Sequence, residues 1–412
     1  MAQERVMNRW LTVVGALMVQ LILGVIYAFS VFVKPLEAHF GWDRAQTTWA
    51  FSINVATFAI VMVYGGRLQD RIGPRKVCML GGALMGLGFV LAKFINSIPM
   101  FYLTYGVIAG AGIAFSYVTP IAVLVKWFPD MRGLMTGVAV AGFGFSTLIF
   151  GPVAARLIIA VGWQNTFLYL GILFLIVVVA GAQFLRNPPA GWLPEGYTPP
   201  APATTTTGAV ARVDYAPREL FSYPSAYMLW IMFAFHASAG LMVISALSPF
   251  AQIKGMTATA AAGVVGYLSI FNGAGRIIAG WVSDRIGRQR AMLLFFGLTG
   301  IVMFITPFSA GTTIGLLLAV TIIGASYGSN FALFPSTTAD FFGTKNVGAN
   351  YGLIFSAWGL AGVLGGRIGS FVFQATGAYT NAFYISGVLA LIAAGLSLVI
   401  RAPAAAEAPA EA

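Results

Sequence analysis

Charge is what this sequence lacks most. Aspartate, glutamate, lysine and arginine together make up 8% of its 412 residues, whereas a soluble domain carries about 25%. So few charges cannot cover a water-facing surface, which excludes a cytosolic enzyme, a nucleic-acid-binding domain and a disordered chain. Cysteine is nearly absent: the single Cys78 allows no internal disulfide and no cysteine-rich metal site. Histidine occurs twice, at His39 and His236, far apart and outside any metal-ligand spacing, so neither a metal nor a cofactor is expected. Acids are the scarcer sign, 12 against 23 basic residues, for a net charge of +11. In a soluble protein that excess suggests nucleic acid; here basic loops that orient a membrane protein account for it.

Apolar sequence is what the chain has in quantity. Hydrophobic residues make up 59% and the mean hydropathy is +0.86. The 49 glycines raise no objection, because glycine is commoner in membrane helices than in soluble ones. A spanning helix needs about 20 mostly apolar residues. Twelve such runs lie near 10–33, 46–66, 77–95, 98–125, 133–160, 165–186, 225–250, 259–282, 291–309, 312–338, 347–374 and 380–401. They are continuous rather than alternating, which excludes a β-barrel. The first is too long for the apolar core of a signal peptide, about 7–15 residues, and reads as an uncleaved span. The expected fold is an all-α integral membrane protein of twelve transmembrane helices.

One long polar stretch, Asn187 to Tyr223, carries two Pro-Pro pairs and a threonine run, a linker composition. It divides the chain into a six-helix bundle over 1–186, a cytoplasmic linker loop over 187–224 and a second six-helix bundle over 225–401. An Ala/Pro/Glu-rich tail over 402–412 is expected to be disordered. The two bundles repeat. Gly66-Arg67-Leu68-Gln69-Asp70-Arg71-Ile72-Gly73 matches Gly280-Trp281-Val282-Ser283-Asp284-Arg285-Ile286-Gly287 at an offset of 214. Gly162-Trp163-Gln164-Asn165-Thr166-Phe167 echoes the segment from Gly377 to Phe383, and Tyr117 falls opposite Phe331. Duplicated six-span halves mark a transporter whose bundles rock about a central site. Most basic residues, among them Arg67, Arg71, Arg75, Lys76, Arg285, Arg288 and Arg290, fall on the side of both termini, while Lys34, Arg44, Lys93, Arg156 and Lys254 fall opposite. This asymmetry puts both termini in the cytoplasm of a multi-pass plasma (inner) membrane protein.

The Gly-x-x-x-Asp-Arg-x-Gly copies sit at the turns after spans 2 and 8, where the glycines allow close helix approach and the aspartate can pair with arginine or cap a helix N-terminus. Here the chain resembles the major facilitator superfamily, over nearly its whole length. The resemblance implies a conformational latch made by Gly66, Asp70, Arg71 and Gly73 and by Asp284, Arg285 and Gly287.

Arg276 stands inside the eighth span, in Ile270-Phe271-Asn272-Gly273-Ala274-Gly275-Arg276. A charge there costs at least about 2.5–3.5 kcal/mol, so it is expected to face a cavity or a partner. No acid falls inside a span, and a cation without a counter-ion invites an anion that guanidinium can hold bidentately. Its repeat counterpart is Met62, so the arginine is not scaffold common to both halves. Arg367, in the eleventh span, suits snorkelling or an outer gate as well as substrate contact. His236 could titrate but, as a lone polar residue between helices, more often packs.

Gly24 to Phe32, Asn272 to Arg276, Phe334-Pro335-Ser336-Thr337 and Asn350-Tyr351-Gly352 resemble the oxalate/formate antiporter family and the related monocarboxylate transporters. That resemblance implies a substrate carboxylate on Arg276. It also implies a second cation, a lysine, at the position that Trp358 occupies here. With one cation missing, oxalate fits poorly and a monocarboxylate such as lactate, pyruvate, glycolate or formate fits better. Asn272 stands where the resembled monocarboxylate transporters place an aspartate, so a proton would travel on the substrate, or anions would exchange. Tyr27, Tyr117, Tyr327, Phe331, Phe355 and Trp358 are expected to wall a small amphipathic box. Gly106/Gly110, Gly133/Gly137, Gly324/Gly328 and Gly362/Gly366 are spaced for close helix packing.

The reading is therefore a secondary carrier of a small organic anion, with the lipid bilayer and, in the symport case, a proton as its other partners, functional as a monomer. The alternatives are a dicarboxylate-for-monocarboxylate exchanger that uses Arg367 as second cation, and a carboxylate sensor on a transporter scaffold. An enzyme would need a nucleophile and base in the spans, which are not there.

Overall fold

The computed structural model describes residues 7–198 and 214–403. It holds α1 (Arg9–Leu23), a 3₁₀ turn (Gly24–Ala28) and α2 (Ser30–Phe40), then α3 (Arg44–Ile72) and α4 (Pro74–Ala92). Next come α5 (Ile98–Phe101), a π-helical stretch (Tyr102–Ala109), α6 (Gly110–Trp127) and α7 (Arg132–Ala182). The second half consists of α8 (Pro224–Ile253), α9 (Ala258–Ile286), α10 (Arg288–Ser309), α11 (Thr313–Phe342), α12 (Val347–Thr376) and α13 (Thr380–Val399). Eleven helical stretches are long and apolar enough to cross a membrane. One of the eleven, α7 at 51 residues, holds two crossings run together, because Gly162 breaks it with φ 79° and ψ 163°. Among the described residues the fold is thus all-helical, with twelve crossings.

Several boundaries differ from the sequence expectation. The first span continues through α2 to Phe40, and α3, α9 and α11 run to Ile72, Ile286 and Phe342. Asp70, Asp284 and Asp340 therefore sit in last helical turns rather than in loops. The turns themselves shrink to Gly73 and Gly287, whose φ of 92° and 89° only glycine adopts without strain. The end of the polar stretch is docked rather than free. The Tyr215 backbone N–H donates to the Phe342 carbonyl, and the Asn346 and Asn350 side chains donate to the Tyr215 carbonyl. The threonine run and the tail beyond 403 lie outside the described residues.

The halves meet through α3 against α12 and α7 against α9, and glycine sets the distance. A β-carbon on Gly66 would lie 2.0 Å from the Gly348 carbonyl oxygen, and one on its repeat mate Gly280 2.1 Å from that of Gly133. Each motif aspartate then caps a helix of the opposite half. Asp70 Oδ2 accepts from the Ala349 N–H at 2.8 Å, at the start of α12. Asp284 accepts from the Gly133 and Leu134 N–H groups at 2.9 and 2.7 Å, at the start of α7. A carboxylate there satisfies backbone donors that the helix leaves open and faces the positive end of its dipole.

The supporting cations are not those expected. Arg71 and Arg285 are exposed, and Arg285 lies 3.6 Å over the Trp281 ring. Arg288 instead holds Asp284 and Asp340, at 2.8 Å each, and Arg132 holds Asp340 at 2.6 Å. On the Asp70 side, the one ion pair among the described residues is with Lys126, at 3.9 Å. Cross-half contacts continue from this basic face to the level of Arg276. Beyond that level Gly266 on α9, and Gly362 and Gly366 on α12, have nothing within 4 Å of where a β-carbon would be. The bundles are shut on the basic face and diverge toward the other.

Gly66→Leu is expected to force that face open. Cys78 is buried, so a cysteine placed at the buried Ser336 reports alone. Its labelling by a membrane-impermeant maleimide should rise several-fold in Gly66→Leu; unchanged labelling would mean that the glycine contact does not hold the face shut.

Candidate functional site

Small residues bring the Arg276 head group into the seam between the halves. On α9, a β-carbon at Gly275 would lie 2.2 Å from the Ala325 carbonyl oxygen of α11, and one at Gly273 2.7 Å from the Phe145 ring of α7. On α7, a β-carbon at Gly137 would lie 2.2 Å from the Arg276 carbonyl oxygen, and one at Gly144 3.4 Å from Arg276 Nε. On α11, one at Gly328 would lie 2.1 Å from the Asn272 carbonyl oxygen. Larger residues at any of these positions would hold α9 away and leave the guanidinium outside the seam.

Arg276 is 0% exposed. Nη1 donates to the Val140 carbonyl of α7 at 2.8 Å, and Nε donates to Asn272 Oδ1 one turn earlier at 3.2 Å. Nη2 has no partner. The guanidinium carbon sits 4.3 Å from the Phe331 ring centroid and 5.8 Å from that of Phe143. Among the described residues no carboxylate pairs with it. Burying a guanidinium unpaired is costly, so two hydrogen bonds and a cation–π contact leave this one under-satisfied.

The six expected aromatics gather around it. Trp358 Nε1 donates to the Tyr327 hydroxyl at 3.0 Å. Phe355 stands 5.3 Å from Trp358, 6.4 Å from Phe331 and 5.4 Å from Tyr117 between ring centroids, and Tyr27 meets Phe143 at 5.4 Å. Tyr27 is the one of the six that is only partly buried, so it lies on the open side. The Tyr117 and Tyr351 hydroxyls are buried within electrostatic reach of Arg276 and face each other.

Sequence reasoning missed Phe58, Phe143, Val140 and Tyr351. Phe58 packs 5.1 to 5.7 Å from Tyr117, Phe355 and Trp358. It is the repeat mate of Asn272, at the offset of 214, a signal that could have found it. Tyr351 lay within a quoted family segment. Val140 contributes a backbone carbonyl, which no residue pattern announces.

The other two expected residues stand apart. His236 is 0% exposed, with Nδ1 2.8 Å from Asn330 Oδ1, Nε2 2.9 Å from Thr299 Oγ1 and its ring stacked on Phe296. It shares no partner with Arg276 and acts as a packed, bonded core residue. Arg367 is exposed, nine residues past Trp358 on α12, or about 13 Å along the helix and half a turn round it.

Comparison with known proteins agrees with this architecture. The sequence model of the Major Facilitator Superfamily matches residues 15–366. The chain is 30% identical to YhjX, an uncharacterized MFS-type transporter of Escherichia coli (strain K12), over 86% of each chain. It is 29% identical to the oxalate:formate antiporter of Oxalobacter formigenes, over 95% of this chain and 91% of that one. It is 27% identical to monocarboxylate transporter 13 of Rattus norvegicus, over 95% and 88%. Among solved structures, the transporter FucP in its outward conformation superposes with a TM-score of 0.72, at 16% identity over 94% of this chain and 98% of that one, a likeness of fold.

His236→Leu is expected to leave the Asn330 side-chain oxygen unpaired and to destabilise the protein by about 1–3 kcal/mol, read as a lower thermal midpoint. The pH profile of uptake should keep its shape; an altered profile would make the histidine part of transport.

Proposed function

The chain belongs to the major facilitator superfamily, whose model matches residues 15–366, and on that footing we propose that it carries small monocarboxylates across the membrane by alternating access. One observation carries the reading: Arg276 is fully buried between the halves, has no carboxylate partner and leaves Nη2 unbonded. A substrate carboxylate would take up the unused N–H groups and cancel the charge.

The count of cations supports a single negative charge. Trp358 occupies the place of a second cation in the resembled antiporters, and its indole is committed to Tyr327. A second carboxylate would stand desolvated against an aromatic wall. Arg367 lies too far out to replace the missing cation, so nothing favours dicarboxylate exchange. Phe58, Phe331, Phe355 and Trp358 suit the short apolar tail of lactate, pyruvate or a similar acid, with Tyr27 and Tyr117 turned to its polar end.

Transport follows from the two faces. The basic face is the cytoplasmic one, with both termini inside and the chain in the inner membrane. With both latches closed the way in from the cytoplasm is shut, and the site would open toward the outside, where the bundles diverge. Binding neutralises Arg276; the caps on Ala349 and on Gly133 and Leu134 then part, and the bundles rock. No acid touches Arg276, so a proton enters on the substrate or an anion returns in exchange. One chain supplies both bundles and the whole site, and works as a monomer.

Arg276→Ala should abolish uptake of labelled lactate and formate into proteoliposomes at normal protein yield, and Arg276→Lys should lower it at least tenfold by losing the two-point grip; near-normal uptake in either would sink the site assignment. Trp358→Lys should add exchange of internal oxalate for external formate, absent from the parent protein.

A further inference from the structure

The seam between α3 and α12 holds a feature that transport does not use. On its outer side runs an apolar groove of about 560 Å³, lined by Ala56, Ile60, Val63 and Tyr64 of α3 and by Leu360 and Val363 of α12, among others. Its floor is the close approach of Gly359 to Ala59, where an added β-carbon would stand 2.7 Å from the alanine methyl. Ile60, Tyr64 and Val363 are about 60% exposed, toward the side that a bilayer covers. Along α3 the groove runs from Arg67 at the basic face to Ala56, about 16 Å. That is half of a hydrocarbon core about 30 Å thick, the depth of one leaflet.

Arg67 also lines a second pocket, of about 410 Å³, together with Asp70, Arg71, Pro217, Arg218 and Ala349, among others. Its three arginines come from both sides of the seam, two from α3 and one from the docked segment that leads into α8. None of the three makes an ion pair among the described residues. Asp70, the one acid lining this pocket among the described residues, is already engaged by the Ala349 N–H. Three free guanidinium groups at the mouth of a one-leaflet apolar groove complement a phosphate that carries an acyl chain.

We propose that this groove and pocket form a binding site for one anionic phospholipid of the cytoplasmic leaflet. The phosphate lies among Arg67, Arg71 and Arg218, and one acyl chain lies between α3 and α12. The headgroup then joins α3 of the first half to the segment that enters the second, directly over the Asp70 cap. A bound lipid holds that cap closed, and it does so where the protein's own cation, Lys126 at 3.9 Å, holds Asp70 least. The site is separate from Arg276, so this proposal stands whatever the carried anion is.

The test counts lipid bound to the purified full-length protein by native mass spectrometry, with phosphatidylglycerol and phosphatidylcholine of equal chain length. The parent protein should retain one phosphatidylglycerol in preference, and Arg67→Gln/Arg71→Gln/Arg218→Gln should lose the preference by roughly tenfold. Ala56→Phe, which fills the deep end of the groove, should weaken retention while leaving the arginines in place. Equal retention of the two lipids by the parent, or an undiminished preference in the triple variant, overturns the proposal. So does protection of the parent by glycerol phosphate equal to that by the whole lipid with Ala56→Phe without effect, because the site would then take a free phosphate. The maleimide reaction at a cysteine in place of Ser336 should slow several-fold with phosphatidylglycerol; no change removes the effect on the cap.

Discussion

A cation that the protein buries and does not neutralise governs this structure. Removing a guanidinium from water costs several kcal/mol even after relaxation. The protein returns part of that through the Val140 carbonyl, the Asn272 side chain and the face of Phe331. All three partners are neutral, and each supplies a partial charge only. The glycines on α7, α9 and α11 exist in this setting because the head group must reach the seam between the halves. A β-carbon at Gly137, Gly273, Gly275 or Gly328 would strike a carbonyl or a ring, and one at Gly144 would press on Gly273 and Arg276. Aromatic walls follow from the same constraint: they exclude water and strengthen the attraction of Arg276 for an anion, and they offer the cation an electron-rich face while it waits.

The basic face is built from a different use of charge. Helix starts expose N–H groups that nothing in their own helix can satisfy. At α7 and α12 those groups are met by an aspartate from the opposite half, so a local capping need has become a contact between bundles. The two copies are not equivalent. Position 340 is aspartate and its repeat mate 126 is lysine, so one latch is a four-membered network of Arg132, Asp284, Arg288 and Asp340, and the other a lone aspartate with a distant ammonium. Opening the face must break the network as well as the caps. The tighter latch lies over α7 and α9, the helices that carry Val140 and Arg276, so movement at the site and movement at that latch share the same rigid elements.

Much of this was legible in the sequence, for identifiable physical reasons. Twelve crossings follow from run length, because a bilayer imposes one thickness on every span. Arg276 stood out because charge is so rare at depth, and Trp358 and Asn272 because they replace charged residues of a resembled family. Contacts between distant segments were not legible. Asp70 was expected to matter, yet its partner is 279 residues away and offers only a backbone N–H, which every residue possesses. Arg71 and Arg285 were expected in the latch because the family resemblance implies it. On a helix the neighbouring position points about 100° away, and their side chains leave the seam. Helix ends were set too early because the apolar runs stop near 66, 282 and 338, whereas a carboxylate that meets a neighbouring helix start is at home in a last turn.

The same arrangement sets how tightly the site can hold its ligand. In this conformation no part of Arg276 is exposed, so a carboxylate does not enter an open socket. On the proposed reading it displaces the Phe331 face, takes up the unbonded Nη2 and shares the N–H groups held by Val140 and Asn272. A desolvated cation–π contact is worth about 2 kcal/mol, and a charge-assisted bidentate pair exceeds it by only a few kcal/mol. The net gain on binding is the difference between the two. A carrier needs that small difference, because an anion bound by the full strength of a naked buried guanidinium would not leave. On the proposed reading, Phe331, Asn272 and Val140 are stand-ins that keep Arg276 tolerable between cycles and limit its grip during one.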